Sequence, residues 1–279
     1  MIRPVQRELY AVIGHPVAHS LSPAMMNRAF AAGRHPGCYL AFEVSEPASD
    51  LELLHRLGLR GISVTLPHKR AVMKCCESID ETARAIGAVN TLRRTPRSWE
   101  GRNTDWLGVS EAFRPVSSFT GKRALVIGAG GAARAAVFAF LREGTRVAVA
   151  NRGAERGLRL AREFGCEFVP LIEVSRQRFD LVVHCTPVGM IGAAAHSLDL
   201  PDAFFRPEMV VMDAVYRPLW TPFLIQARAT GCRILTGLEM LLHQGLAQYQ
   251  WWTGNAAPAA AMRAALEQAL ERETDDSHH

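Results

Sequence analysis

The run Leu125-Val126-Ile127-Gly128-Ala129-Gly130-Gly131-Ala132-Ala133 constrains this chain more than any other stretch. Apolar residues end a strand, glycines turn the backbone, and an alanine-rich helix is expected to follow. That order points the orphan N–H groups and the positive end of a helix at an anion, and the pyrophosphate of a dinucleotide is the ligand it suits. Glycine-rich turns also close many βα units that bind nothing, and Ala133 stands where the fingerprint has its third glycine, so the pattern alone leaves a structural turn open. The next strand sharpens the reading. It ends about twenty residues on, where an NAD-binding unit usually carries Asp or Glu for the ribose 2′-hydroxyl. This chain has Asn151 and Arg152 there, followed by Arg156. A carboxylate would repel a 2′-phosphate whereas guanidinium groups grip it, so the residues favour NADP over NAD.

With 279 residues, 48% of them hydrophobic, the chain has material for a substantial core and is expected to form two domains. A net charge of +5 does not mark a nucleic-acid binder, because Lys and Arg are scattered among Asp and Glu without a basic run. Anionic small molecules suit that balance better. Six cysteines show neither a CxxC pair nor a metal-ligand spacing, which predicts reduced thiols in a cytoplasmic protein and no metal. No apolar run approaches the roughly 18 residues of a membrane span, so neither a signal peptide nor a membrane partner is expected. The final Asp275-Asp276-Ser277-His278-His279 is read as a frayed tail.

Short β-branched runs alternate with helical patterns along the chain, which predicts α/β architecture with parallel βαβ units. The turn formers of Arg114-Pro115-Val116-Ser117-Ser118-Phe119-Thr120-Gly121 are expected to join two domains. The dinucleotide unit therefore starts mid-chain and leaves about a hundred residues ahead of it for a second domain.

That first domain carries motifs of its own. In His19-Ser20-Leu21-Ser22-Pro23, Ser22 is expected to cap a helix that has Pro23 at its first position, and Ser20 sits just outside a helix start that favours an anion. A capped helix with a solvated serine remains open. Gly61-Ile62-Ser63-Val64-Thr65-Leu66-Pro67-His68-Lys69 reads as a strand delivering Thr65, His68 and Lys69 at its carboxyl end, the ligand-binding end of open α/β sheets, with a helix expected over 68–76. A lone lysine at a helix start is usually a solvated charge. Gly101-Arg102-Asn103-Thr104-Asp105-Trp106 places Asn, Thr and Asp before another helix, more polar groups than one cap requires.

Together these segments resemble the shikimate dehydrogenase family along nearly the whole chain. The resemblance rests on Gly14-His15-Pro16-Val17-Ala18-His19-Ser20-Leu21-Ser22-Pro23, Ser63-Val64-Thr65-Leu66-Pro67-His68-Lys69, Gly87-Ala88-Val89-Asn90-Thr91 and Asn103-Thr104-Asp105. Gly128-Ala129-Gly130-Gly131-Ala132, Asn151-Arg152, Pro187-Val188-Gly189-Met190, Asp213-Ala214-Val215-Tyr216-Arg217-Pro218 and Gly237-Leu238-Glu239-Met240-Leu241 with Gln244 follow in family order.

The resemblance implies NADP-dependent interconversion of 3-dehydroshikimate and shikimate on the way to chorismate and the aromatic amino acids. It implies Lys69 and Asp105 as the catalytic pair, Ser20 and Ser22 as holders of the substrate carboxylate, and Thr65, Asn90, Tyr216 and Gln244 as further polar lining. On the cofactor side it implies Gly128, Ala129, Gly130, Gly131, Ala132 and Ala133 around the pyrophosphate, and Asn151, Arg152 and Arg156 around the 2′-phosphate. Thr186, Val188, Met190, Ala214, Gly237 and Met240 would contact the ribose and nicotinamide. The implied fold is a discontinuous N-terminal α/β substrate domain, 1–107 with 240–273, and a Rossmann-like NADP-binding domain, 108–239, in a monomer or homodimer. Departures from the family pattern are Ser63, where many members have Asn; Met26, where His is common; His184-Cys185-Thr186, where Asn-Ala-Thr or Asn-Thr-Thr is usual; and Gly153, where Thr often stands. A relative acting on quinate or an amino analogue, and a ligand-sensing regulator without chemistry, are the competing expectations.

Overall fold

The computed structural model describes residues 7–191, 198 and 200–276, and these fall into two compact units. One is drawn from the chain up to Thr104 together with the stretch from Gln244 onward; the other is Asp105–His243.

The first unit runs β1 (Glu8–Gly14), α1 (Ser22–Ala32), β2 (Gly37–Glu43), α2 (Pro47–Arg56), β3 (Gly61–Val64), a 3-10 turn (Ala71–Cys75), β4 (Ser78–Ile79), α3 (Glu81–Ile86), β5 (Thr91–Arg94) and β6 (Trp99–Arg102). Its sheet has the order β2-β1-β3-β5-β6-β4. Ile13, Ile62, Val64, Val72, Leu92 and Trp99 are buried in the core on one side of it. The expected parallel βαβ pairing is seen for β1 with β2 and β3, while β5 and β6, which the sequence does not mark as strands, add antiparallel pairing, β5 with both β3 and β6. These two short strands carry three arginines and read poorly as sheet. Tertiary packing supports them, since Arg93 and Arg102 stack on Trp251 at 4.7 and 4.4 Å while Arg93 pairs across the strands with Glu100 at 2.6 Å. The helix expected over 68–76 is also absent. A turn and one short 3-10 segment follow Pro67, and the buried His68 ring lies 2.6 Å from the Val44 carbonyl.

The second unit runs α4 (Asp105–Phe113), β7 (Arg123–Ile127), α5 (Gly131–Arg142), β8 (Arg146–Ala150), α6 (Ala154–Phe164), β9 (Glu167–Phe168), β10 (Leu181–His184), β11 (Val210–Asp213), α7 (Pro222–Ala229) and β12 (Arg233–Leu235). Its sheet is all parallel with the order β12-β11-β10-β7-β8-β9. Counted from β7 that is 3-2-1-4-5-6, the doubly wound order that puts the ligand crevice at the carboxyl ends of the central strands. Leu125, Val126, Ile127, Val182 and Val183 are buried, as fits central parallel strands covered on both faces.

Two helices complete the chain, α8 (Gly237–Thr253), within which the division between the units falls, and α9 (Ala259–Asp276), which packs on α1. Because α9 continues to Asp276, Asp275 and Asp276 are helical rather than a frayed tail, while Ser277, His278 and His279 lie outside the described residues. All six cysteines are free thiols, and no described helix is long and apolar enough to cross a membrane.

Candidate active site

In the first unit the chemistry gathers beyond the end of β3. Val64 N–H donates to the Asn90 carbonyl (2.7 Å), Thr65 N–H to the Ile13 carbonyl (2.9 Å) and Val89 N–H to the Lys69 carbonyl (2.7 Å). These bonds lock the turn carrying Thr65 and Lys69 against the segment that carries Asn90, so residues about twenty positions apart meet through backbone pairing. Lys69 is half-buried and therefore not the freely solvated charge that its sequence position also allowed.

Asn90 is 1% exposed and sits at the centre of a polar network. Its Oδ1 accepts from Thr104 N–H (2.7 Å) and the Thr91 hydroxyl (2.8 Å), and its Nδ2 donates to Thr104 Oγ1 (3.0 Å) and to Gln244 Oε1 (3.5 Å). Gln248, one turn beyond Gln244 on α8, donates to Thr91 Oγ1 (3.0 Å) and accepts from Ser63 Oγ (2.7 Å), which in turn accepts from the Tyr39 phenol (2.6 Å). Thus Ser63, one of the departures from the family pattern, is held from two sides. Gln248 and Tyr39 were not among the expected site residues. The i, i+4 spacing of Gln244 and Gln248 was a usable signal, since it puts both on one helix face. Tyr39 had none, because it reaches Ser63 only across the sheet.

Ser20 and Ser22 lie at the start of α1, but with their predicted parts exchanged. Leu21 is the capping position, Ser22 is already helical, and no cap side-chain bond is made there. Instead Ser20 Oγ accepts from Ser22 N–H at 3.3 Å, because a hydroxyl two residues upstream can reach an amide that a helical serine cannot. Ser22 is buried and Ser20 half-buried.

Asp105, 3% exposed, opens α4, where the helix dipole favours a carboxylate. The chain just ahead of it is fixed in the first unit by the Thr104 bond to Asn90 and by Asn103 Nδ2 donating to the Ala88 carbonyl (2.9 Å).

In the second unit, Gly128 has φ +129° and its N–H donates to the Ala150 carbonyl (2.8 Å), which turns the chain sharply out of β7. A side chain at Gly130 would meet nothing within 4 Å, and no side chain caps α5. Open space therefore lies over a helix N-terminus, as an incoming phosphate requires. Ala129 and Ala132 are half-buried beside it, whereas Ala133 is buried in the core. At the end of β8, Asn151 Nδ2 closes its own turn on the Gly153 carbonyl (2.8 Å). Arg152 and Arg156 are exposed, and among the described residues neither pairs with a carboxylate; Glu155 is taken by Arg159 at 2.6 Å. An open helix end with two unpaired guanidinium groups and no acid at the end of β8 fits a 2′-phosphorylated dinucleotide.

Thr186, Val188 and Met190 follow β10, and Ala214 and Tyr216 follow β11, so Tyr216 belongs to the second unit. Gly237 permits close approach, for a Cβ there would stand 2.5 Å from the Val215 carbonyl oxygen. Met240 is packed in the apolar core with Leu235 and Val126. Among the described residues no group of three or more His, Cys, Asp or Glu side chains could hold a metal ion.

Family models describing the shikimate dehydrogenase substrate binding domain, shikimate/quinate 5-dehydrogenase and the shikimate 5′-dehydrogenase C-terminal domain match residues 12–92, 110–191 and 237–267. A shikimate dehydrogenase (NADP(+)) of Syntrophobacter fumaroxidans is 51% identical over 98% of this chain and 98% of its own length. The chain belongs to the shikimate dehydrogenase family. Solved members of that family share its architecture: a shikimate dehydrogenase in complex with NADP+ aligns at TM-score 0.89 and 33% identity over 95% of this chain and 96% of its own. The Thermus thermophilus shikimate 5-dehydrogenase, in complex with NADP(H) and shikimate, aligns at TM-score 0.85 and 39% identity over 94% of this chain and 100% of its own.

Proposed function

We propose that this shikimate dehydrogenase family member catalyses the reversible NADP-dependent reduction of 3-dehydroshikimate to shikimate, a step toward chorismate and the aromatic amino acids. The observation that carries the reading is that backbone bonds hold the turn bearing Thr65 and Lys69 against the segment bearing Asn90, whose buried side chain bonds Gln244 in the first unit. Full-length similarity to NADP-dependent relatives supports it. We read 1–107 with 240–273 as the substrate-binding part and 108–239 as the NADP-binding part; the compact units support a division close to those bounds.

NADPH, when bound, supplies the hydride. The Lys69 ammonium stabilises the charge that grows on the carbonyl oxygen and donates a proton to it, and Asp105 is the carboxylate of the catalytic pair. Ser20 and Ser22 take the substrate carboxylate beside the α1 helix start, while Thr65, Asn90, Tyr216 and Gln244 bond the ring hydroxyls. Gly128 to Ala133 receive the pyrophosphate, Arg152 and Arg156 with Asn151 take the 2′-phosphate, and the loops bearing Thr186, Val188, Met190 and Ala214 with the first turn of α8 at Gly237 and Met240 border the ribose and nicotinamide. Free thiols support a reducing, cytoplasmic setting.

Steady-state oxidation of shikimate and of quinate, each with NADP+ and with NAD+, tests the assignment. Shikimate with NADP+ should have the highest kcat/KM, by about tenfold or more over each other pairing, as one charge-assisted contact implies. A higher value with quinate overturns the substrate, and equal values with both cofactors overturn the reading of Arg152 and Arg156.

A further inference from the structure

His184 ends β10, and it is wholly buried. It pairs in register with Asp213, the last residue of β11, which is buried as well. The two rings of contacts differ in kind. Nδ1 of His184 lies 3.1 Å from Asp213 Oδ1, yet off the direction of a hydrogen bond, so the contact is electrostatic. Asp213 is itself anchored: its Oδ1 accepts from Val215 N–H (2.9 Å) and its Oδ2 from the Thr221 hydroxyl (2.7 Å), the same hydroxyl that caps α7 by accepting from Leu224 N–H (3.3 Å). On the other side, His184 Nε2 is hydrogen-bonded to Thr186 Oγ1, which also accepts from Val188 N–H (3.3 Å). With Nδ1 beside the Asp213 carboxylate, Nε2 is the ring nitrogen left to hydrogen-bond the Thr186 hydroxyl. Thr186 in turn abuts the dinucleotide turn, since a Cβ on Gly128 would stand 3.0 Å from the Cys185 carbonyl oxygen and 3.3 Å from Thr186 Cγ2.

We propose that His184 is a positioning residue which, braced by Asp213, holds the Thr186 hydroxyl and so sets the 186–190 loop against the turn at Gly128 for NADP binding. The proposal rests on the NADP reading above. A loop residue held by a buried side chain is pre-organised, so removing the support costs affinity for whatever the loop borders without altering the contacts of the other unit.

The test is NADPH titration by nucleotide fluorescence, with steady-state constants and melting curves alongside. Thr186→Val keeps shape and loses the hydroxyl, and His184→Asn is too short to reach Thr186; each should raise the NADPH Kd about tenfold, the loss of one buried hydrogen bond, with the KM for shikimate within about twofold of the parent. The double variant should bind no more weakly than the poorer single one, because both break the same link. His184→Gln reaches as far as Nε2 with an amide and should stay within about threefold of the parent. If His184→Asn does not fold, His184→Phe keeps the ring against Phe223, 5.3 Å away, and replaces it as the loss variant. The relay is overturned if NADPH binding survives loss of the His184 ring nitrogens, if the glutamine variant is as impaired as the loss variant, or if the single effects multiply in the double. A parent protein that fails to bind NADPH would instead refute the cofactor reading, so the two failures are distinguishable.

Discussion

An ammonium group gains chemistry from where its backbone is tied down. Lys69 has its carbonyl bound by Val89 N–H, one residue from the buried Asn90, and it is half-buried. Charge on the substrate oxygen develops during hydride transfer, so Lys69→Ala should lower kcat about a hundredfold or more, with a smaller change in the shikimate KM. Asp105→Asn should be comparably damaging and the double variant far less than additively worse, while NADPH binding by fluorescence stays intact in all three. A Lys69→Ala enzyme with near-parental kcat would return that lysine to an ordinary surface charge. On the cofactor side, Arg152→Ala should raise the KM for NADP+ about tenfold or more and leave NAD+ kinetics nearly unchanged; equal losses with both would contradict a 2′-phosphate contact. The exchanged parts of Ser20 and Ser22 sharpen the carboxylate prediction. Because Ser22 makes no cap bond, Ser22→Ala should weaken shikimate at little cost in melting temperature, and unchanged shikimate kinetics in both serine variants would move the carboxylate elsewhere.

Elements are aimed by their ends. Gly237 starts α8, the helix that carries Gln244 and Gln248, and it does so against the backbone of the segment after β11. In Gly237→Ala the new methyl would press on the Val215 and Ala214 carbonyl oxygens, 2.5 and 2.7 Å away, so the helix start must shift. A loss of about 1–3 kcal/mol in urea unfolding is expected. The helix α3 shows the ordinary case: Asp80 caps it by accepting from Ala83 N–H at 2.7 Å, and Gly87 ends it at φ +69°. Asp80→Ala should cost about 1 kcal/mol in the same assay, and no change would mean that α3 is held by packing alone.

At the scale of the whole molecule, a buried ionisable group makes stability depend on pH. The Tyr10 phenol is 1% exposed and donates to Glu8 Oε2 at 2.9 Å; burial first, then the bond to that carboxylate and its charge, hold its pKa far above the usual tyrosine value. With the folded pKa raised, this group's contribution to stability is fully present below the unfolded tyrosine pKa of about 10 and is lost as pH rises beyond it, by about 1.4 kcal/mol per pH unit. Urea midpoints measured from pH 9 upward should therefore fall more steeply for the parent than for Tyr10→Phe. Parallel curves would remove Tyr10 as the cause.

What the sequence determined by itself is whatever is written locally. The glycine turn after β7, the arginines in place of an acid after β8, and the polar residues at the end of β3 each need only a few neighbouring residues and the period of their element to be read. The tertiary structure alone decided the rest. The antiparallel hairpin of β5 and β6 depends on Trp251, some hundred and fifty residues away, to cover its arginines, and the support of Asn90 and Ser63 comes from Gln244 and Gln248 on α8 and from Tyr39 across the sheet. Buried polar groups must find partners wherever packing supplies them, and no local pattern records a partner that distant in the chain.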